Sequence, residues 1–357
     1  MNVRCSLFLT FFLFSLFALT VPVLAGDCLT TDCHQPLGNQ KNPHQPVVAG
    51  DCLACHEQKN PGHPSSTGKS FILSATAANL CYQCHEVKQE GAVHPPVAAG
   101  DCLSCHNPHG SAHRYLLKTP MPGLCLECHA EVQTALKSKV KHAALYRETS
   151  CGGCHTGHAS HLPALLLAPE KELCLSCHGR NDFTRSKPLR NIGREVEGKV
   201  NLHGPVAEGK CSPCHAAHGS PFYRLLQEDY PSGPYVYEKK AYPLCFKCHN
   251  RSMLDSPKAS EKTAFRNSSQ NLHYVHAIDH RKGRVCTICH ASHGSDDHSL
   301  IKEKGTDFGN WTIPINFKPT DTGGSCAPGC HTATQYDRTY HSVSKDHPRK
   351  TNFTKEN

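Results

Sequence analysis

One five-residue phrase constrains this chain more tightly than its composition does. Cys-x-x-Cys-His occurs nine times without departure, ending at His56, His85, His106, His129, His155, His178, His215, His249 and His290. Stretched forms flank the series, Cys28-x-x-x-x-Cys33-His34 before it and Cys326-x-x-x-Cys330-His331 after it. The phrases come in pairs, and the stretch from His94 to His129, HPPVAAGDCLSCHNPHGSAHRYLLKTPMPGLCLECH, shows the grammar of one pair. A histidine leads, a site follows, another histidine stands three residues on, and a linker with a Leu-Leu-like pair runs to the second site. The linkers HGSAHRYLL, HASHLPALLL, HGSPFYRLL and HGSDDHSLI, opening at or beside His109, His158, His218 and His293, repeat the pattern. First cysteines of successive pairs fall at Cys52, Cys102, Cys151, Cys211 and Cys286, so the period starts near fifty residues and lengthens. The chain therefore divides into a leader over 1–25, a leading half-repeat over 26–43, and five repeats over 44–93, 94–141, 142–202, 203–275 and 276–357.

Paired thiols admit three chemistries. A disulfide framework suits an exported chain but has no need of a histidine after each pair. A zinc ribbon uses the same cysteine spacing and likewise has no need of that histidine every time. Covalent haem attachment needs every part: two thiols become thioethers to the porphyrin, and the imidazole that follows is the proximal iron ligand. The thioether cysteines are then Cys28 and Cys33, Cys52 and Cys55, Cys81 and Cys84, Cys102 and Cys105, Cys125 and Cys128, Cys151 and Cys154, Cys174 and Cys177, Cys211 and Cys214, Cys245 and Cys248, Cys286 and Cys289, and Cys326 and Cys330. With the two stretched sites the chain has room for up to eleven haems c. The stretched site at Cys28 shares the phrase Ala-Gly-Asp-Cys-Leu with Cys52 and Cys102.

Distal ligands follow from the remaining histidines. Of 28, eleven are proximal, and the repeat positions His44, His63, His94, His109, His142, His158, His203, His218, His276 and His293 supply ten more. His341 is the eleventh candidate, and His113, His161, His273, His280, His298 and His347 are surplus, with solvent-exposed or propionate-contacting roles expected. Only Met121 and Met253 lie beyond the leader, so bis-histidine ligation is the expected rule. His109 lies three residues after His106, too close to reach the opposite face of one porphyrin, so it must serve another haem. His158, His218 and His293 obey the same exclusion. Which haem each one serves is open at this level.

The first residues carry Arg4, an apolar run from Leu7 to Leu19, and Val23-Leu24-Ala25, the pattern of a secretory signal cut after Ala25. That run is short for a membrane span, so no integral membrane segment is expected once the leader is gone. The expected fold class is mostly irregular with short α-helices, its core a chain of stacked haems, because about thirty residues per haem cannot enclose an ordinary apolar interior. One longer helix is expected over Glu131 to Leu145, where Val132, Leu136, Val140 and Ala144 recur on one face. The formal charge of +8 would ordinarily point to an acidic partner. Two propionates per haem turn it to roughly −15 in the reduced holo-protein and roughly −4 when oxidised, which removes the argument for nucleic acid.

With these motifs in view, the chain resembles the multihaem c-type cytochromes with doubled Cys-x-x-Cys-His motifs. Among them it is most similar to the periplasmic decahaem cytochromes of outer-membrane porin–cytochrome conduits. That resemblance implies periplasmic localisation, extracellular or outer-membrane association being the alternative, and redox protein partners that include a porin and an upstream quinol-oxidising cytochrome. It also implies electron transfer in anaerobic respiration toward the outer membrane or extracellular acceptors, without catalysis. Two alternatives stand beside it: a subunit of an extracellular cytochrome filament, and a multihaem nitrite or hydroxylamine oxidoreductase, which would need an open iron position. Chain expressed without haem attachment should lack a cooperative unfolding transition in circular dichroism, because cofactor binding supplies the folding energy.

Overall fold

The computed structural model describes residues 28–339 apart from 31–32, 61, 64–67, 88–89, 185–187, 237, 239, 260–262, 279–282 and 309. The expected leader, His280, His341 and His347 lie outside the described residues. Two compact units form. One comprises the described chain up to Val87 together with Pro95–Pro120; the other comprises the stretch ending at His94 and the chain from Met121 onward.

Both units are built from single turns and two-residue ladders. Cysteine pairs ride on 3-10 turns such as Cys52–Ala54, Cys102–Ser104, Ser150–Gly153, Cys245–Lys247 and Cys286–Ile288, or on short α-helices such as Ala77–Tyr82 and Gly123–Leu126. The longest helix among the described residues, Glu170–His178, has nine residues and carries Cys174, Cys177 and His178.

The phrase that opens the first, second and fourth repeats explains one of these turns. In Gln45–Val48 and Gly204–Ala207 a proline near the first position pre-sets the helical φ and gives up no needed N–H. Gly50, Gly100 and Gly209 then take φ of +69°, +72° and +74°, a conformation glycine adopts without a Cβ penalty. The next N–H, from Asp51, Asp101 or Lys210, closes on the carbonyl of Pro46, Pro96 or Pro205 at 2.8 Å, which ends the turn and aims the chain at the first cysteine.

Ladders tie the two residues just ahead of a repeat's leading histidine to the repeat that follows it. Asn42–Pro43 pairs with Gly110–Ser111 in the first unit. In the second, Ala92–Val93 pairs with Ala159–Ser160, Val140–Lys141 with Gly219–Ser220, and Asn201–Leu202 with Gly294–Ser295, all antiparallel. These pairings overturn the long helix expected over Glu131 to Leu145. The helix is only Ala130–Ala135, followed by the strand Val140–Lys141 and the 3-10 turn Ala143–Tyr146. The apolar periodicity is real, but the ladder to Gly219 requires extended backbone ahead of His142. Packing there is close: a Cβ on Gly219 would meet the Ala135 carbonyl at 2.1 Å.

An apolar interior is nearly absent, with one local exception. Ten hydrophobic residues are buried among the described ones, and Tyr242, Leu254, Ala277, Val285 and Ile288 make the one cluster they form. The cluster sits where the fourth and fifth repeats have their longest linkers. Beyond it, the hairpin Thr306–Phe308 with Trp311–Ile313 and the sheet Phe317–Pro319, Gly323–Cys326, Thr334–Asp337 fill the gap before the last site. Truncating the fully buried Tyr242 in Tyr242→Ala should cost about 3 kcal/mol of stability, read as a lower denaturant midpoint, whereas truncating exposed Tyr146 should cost far less.

Candidate haem sites

Histidines far apart in sequence face one another at nearly constant separation. In the first unit the ring pairs are His34 with His63, His44 with His85 and His56 with His109, all with centroids 5.9 Å apart and planes within 19° of parallel. The second unit adds His94 with His129 and His142 with His178 at 6.1 Å, His155 with His218 at 6.0 Å and His203 with His249 at 5.9 Å. It also holds His215 with His293 at 6.4 Å, His273 with His290 at 6.3 Å and His276 with His331 at 6.5 Å. Two metal–imidazole bonds of about 2 Å, with roughly 1 Å from each nitrogen to its ring centre, add up to about 6 Å. The gap between the rings is therefore the width of one axially bound iron.

At several rings the backbone decides which nitrogen is protonated. A carbonyl oxygen can only accept, so an Nδ1 facing one must carry the proton, and the lone pair lies on Nε2. Nδ1 of His44, His94 and His203 donates to the carbonyls of Pro108, Gly157 and Ser292 at 2.8, 3.0 and 3.2 Å. The same ladders carry these contacts, since the N–H groups of His44, His94, His142 and His203 donate to the carbonyls of His109, His158, His218 and His293. One ladder thus positions two ring-bearing residues at once.

Proximal histidines are oriented by the linker that the sequence repeats. Nδ1 of His106, His155, His215 and His290 donates to the carbonyls of Tyr115, Ala164, Arg224 and Ser299 at 2.8 to 3.1 Å. Each of those residues has φ between +54° and +60°, and so does the leucine after it, within three degrees. Non-glycine residues resist this region, and two in succession cost about 2 kcal/mol or more. A serine holds the turn in place. Ser160 and Ser220 donate through Oγ to the carbonyls of Leu166 and Leu226 at 2.7 and 2.6 Å, and Ser111 and Ser295 do the same toward Leu117 and Ile301. Each serine also accepts the N–H two residues on, at 2.9 to 3.0 Å, and Ser220 and Ser295 are 1% exposed. The first repeat departs in sequence yet keeps the closure: His56 pairs with Leu73 in the hairpin His56–Gln58 with Phe71–Leu73, and His63 lies within its connecting segment.

The pairs obey one rule away from the ends. A second-site histidine (His85, His129, His178, His249, His331) faces the leading histidine of its own repeat, and a first-site histidine (His56, His155, His215) faces one from the repeat that follows. His109, His218 and His293 accordingly stay clear of the sites beside them. The first and last first-site pairings depart from that rule. His34 faces His63, and His290 faces His273, which the sequence reasoning set aside as surplus. Its neighbour His276, the leading histidine expected for that repeat, faces the second-site His331. The signal for His273 was present as two histidines on one helical turn, Leu272–Ala277, ahead of a single site that needed only one of them.

At eight of the paired imidazoles burial favours the neutral form that a metal ligand must have. It pushes His109, His142, His178, His203, His215, His218 and His290 below the usual histidine range. His273 is pushed down to about 4 by burial first, then by the charges of His290 and His276.

The thiols also meet in chain order. Direct thiol–thiol contact joins Cys28 to Cys52 and Cys81 to Cys102 in the first unit. In the second it joins Cys125 to Cys151, Cys174 to Cys211 and Cys245 to Cys286. Cys151 is drawn down to about 6 by the hydrogen bond from Cys125. Between these contacts lie looser ones, Cys55 near Cys81, Cys154 near Cys177, Cys214 near Cys245, and Cys289 near Cys326. Within each unit, every site therefore neighbours the site before it and the site after it.

The doubled CXXCH motif model matches residues 44–90, 94–134, 142–183 and 203–254, together half of the chain. The chain belongs to that family. It is a multihaem c-type cytochrome, its motifs indicating covalently bound haem c. No curated protein matches it. Among the described residues no helix is long and apolar enough to cross a membrane.

Two substitutions probe the site. His273→Ala should convert the signal of one haem from low-spin to high-spin in electron paramagnetic resonance, while His161→Ala, at an exposed residue paired with Glu90, should not. Ser220→Ala removes a buried double anchor, and a loss of about 1 to 3 kcal/mol in denaturant unfolding is expected.

Proposed function

We propose that this cytochrome carries eleven haems c, each gripped by imidazole on both faces, and conducts electrons along them without catalysing a reaction. The observation that carries the reading is the set of ten histidine pairs at 5.9 to 6.5 Å, each joining a motif histidine to one from elsewhere in the chain. When bound, haem supplies reversible one-electron exchange at iron, with potentials set by ligand type, hydrogen bonding and burial. The chain's residues do the rest. Two histidine ligands leave no position for a substrate, which favours an electron carrier over a nitrite or hydroxylamine oxidoreductase. Nδ1 contacts with carbonyls hold many of the rings in place, so little rearrangement there accompanies a change of charge. Cysteines of successive sites in direct contact bring the attached macrocycle edges close together, which favours transfer from site to site.

The setting we propose is the periplasm, with electrons passed from donors there toward the outer membrane or extracellular acceptors during anaerobic respiration. The leader and the resemblance to porin-docked decahaem cytochromes support it, as they do a porin and a quinol-oxidising cytochrome as partners. Ligands at the ends bear on the filament alternative: His34 faces His63 of its own chain, so no histidine from a neighbouring copy is required there. Intact mass of the mature holo-protein with a pyridine haemochrome assay should give eleven haems, and resting-state spectra should be uniformly low-spin. Zinc in the thiol pairs, or a high-spin resting haem, would count against the proposal.

A further inference from the structure

Among the paired histidines, His293 has an unusual hydrogen-bond partner. Nδ1 of His44, His94 and His203, from the same kind of ladder, donates to a neutral backbone carbonyl. Nδ1 of His293 donates instead to the Glu195 carboxylate, 2.9 Å from Oε2. Both side chains are three-quarters buried, at 23% and 24% exposure. The comparable contact of His129 with Glu131 lies in the open, where solvent weakens it, the carboxylate being 73% exposed.

Glu195 is built into this position. It ends the 3-10 turn Gly193–Glu195, and Val196 after it is buried. Its backbone carbonyl lies so close to Gly294 that a Cβ there would meet it at 2.5 Å. The other carboxylate oxygen pairs with the Arg190 guanidinium, which is itself more than half exposed. His293 is held from its own side as well, its carbonyl accepting the N–H of His203 at 2.9 Å. The backbones of both partners are thus fixed beside one another.

We infer that Glu195 is a positioning and tuning residue that lowers the reduction potential of the haem held by Cys211, Cys214, His215 and His293. A carboxylate accepting the Nδ1 proton draws positive charge toward itself and makes Nε2 a stronger donor. The stronger donor and the fixed negative charge both favour ferric over ferrous iron, and partial burial keeps that preference from being screened away. Arg190 works in the opposite sense by offsetting part of the Glu195 charge. The inference rests on the proposed bis-histidine ligation.

Two variants of the full-length holo-protein test it by opposite signs. In a spectropotentiometric titration, Glu195→Gln should move a step worth a single haem to more positive potential, with haem count and low-spin spectrum unchanged. Arg190→Gln should move the same step to more negative potential. A Glu195→Gln titration that superimposes on the wild type, or two variants that shift in the same direction, would overturn the tuning role. Loss of low-spin signal in Glu195→Gln would overturn it too, because Glu195 would then be holding the ligand in place and not adjusting it. Failure of the underlying ligation would show differently, as high-spin haem in the unsubstituted protein.

Discussion

Facing imidazoles about 6 Å apart are the constraint on which the rest of this structure depends. A protein with ten buried hydrophobic residues among its described ones cannot hold its chain together by apolar burial of side chains alone. Local structure is instead spent on aiming rings. The turn opened by proline and closed by glycine aims the chain at a cysteine, and the two-residue ladder presents two histidines back to back. The strained left-handed pair offers a carbonyl to a proximal imidazole, and a buried serine keeps that pair from relaxing. Strain of this kind persists only where its surroundings over-determine it, and here the same serine contact recurs in four repeats.

Because a first-site histidine faces a ring from the following repeat, a repeat is not an autonomous module. This is the logic of solenoid proteins, in which a unit buries its interior only against its neighbour and the ends need caps. At the first site of the series His63 faces His34, and near its last site His273 faces His290. The small apolar cluster around Tyr242 and the strands after Thr306 sit at the second of these ends, where the repeat rule runs out and ordinary packing takes over part of the work.

Repetition also lets small local differences carry meaning. Rings held by neutral carbonyls and a ring held by Glu195 have the same iron-sized gap but different electron-donating power. The contacts between cysteines follow chain order within each unit, so a difference at one site bears on traffic between the sites on either side of it. Potential can thus vary along the series without any change in ligand type.

The motif and its period were legible from residues alone, because thioether attachment and the proximal ligand lie within five to seven consecutive residues and need no tertiary contact. The exclusion of His109 from the site of His106 was legible for the same reason, being a matter of reach along one turn. What the sequence left open was which ring faces which. His44 and His85 are 41 positions apart and His203 and His249 are 46 apart, and only the ladders between repeats bring such rings together. The helix expected over Glu131 to Leu145 failed because its periodicity is a local preference of a few tenths of a kcal/mol per residue. The pairing of Val140–Lys141 with Gly219–Ser220 is a long-range bond pattern that overrides it. Glu195 and His273 were hidden for that reason too: a carboxylate 98 positions from its imidazole, and a histidine whose partner His290 is found only in the folded chain.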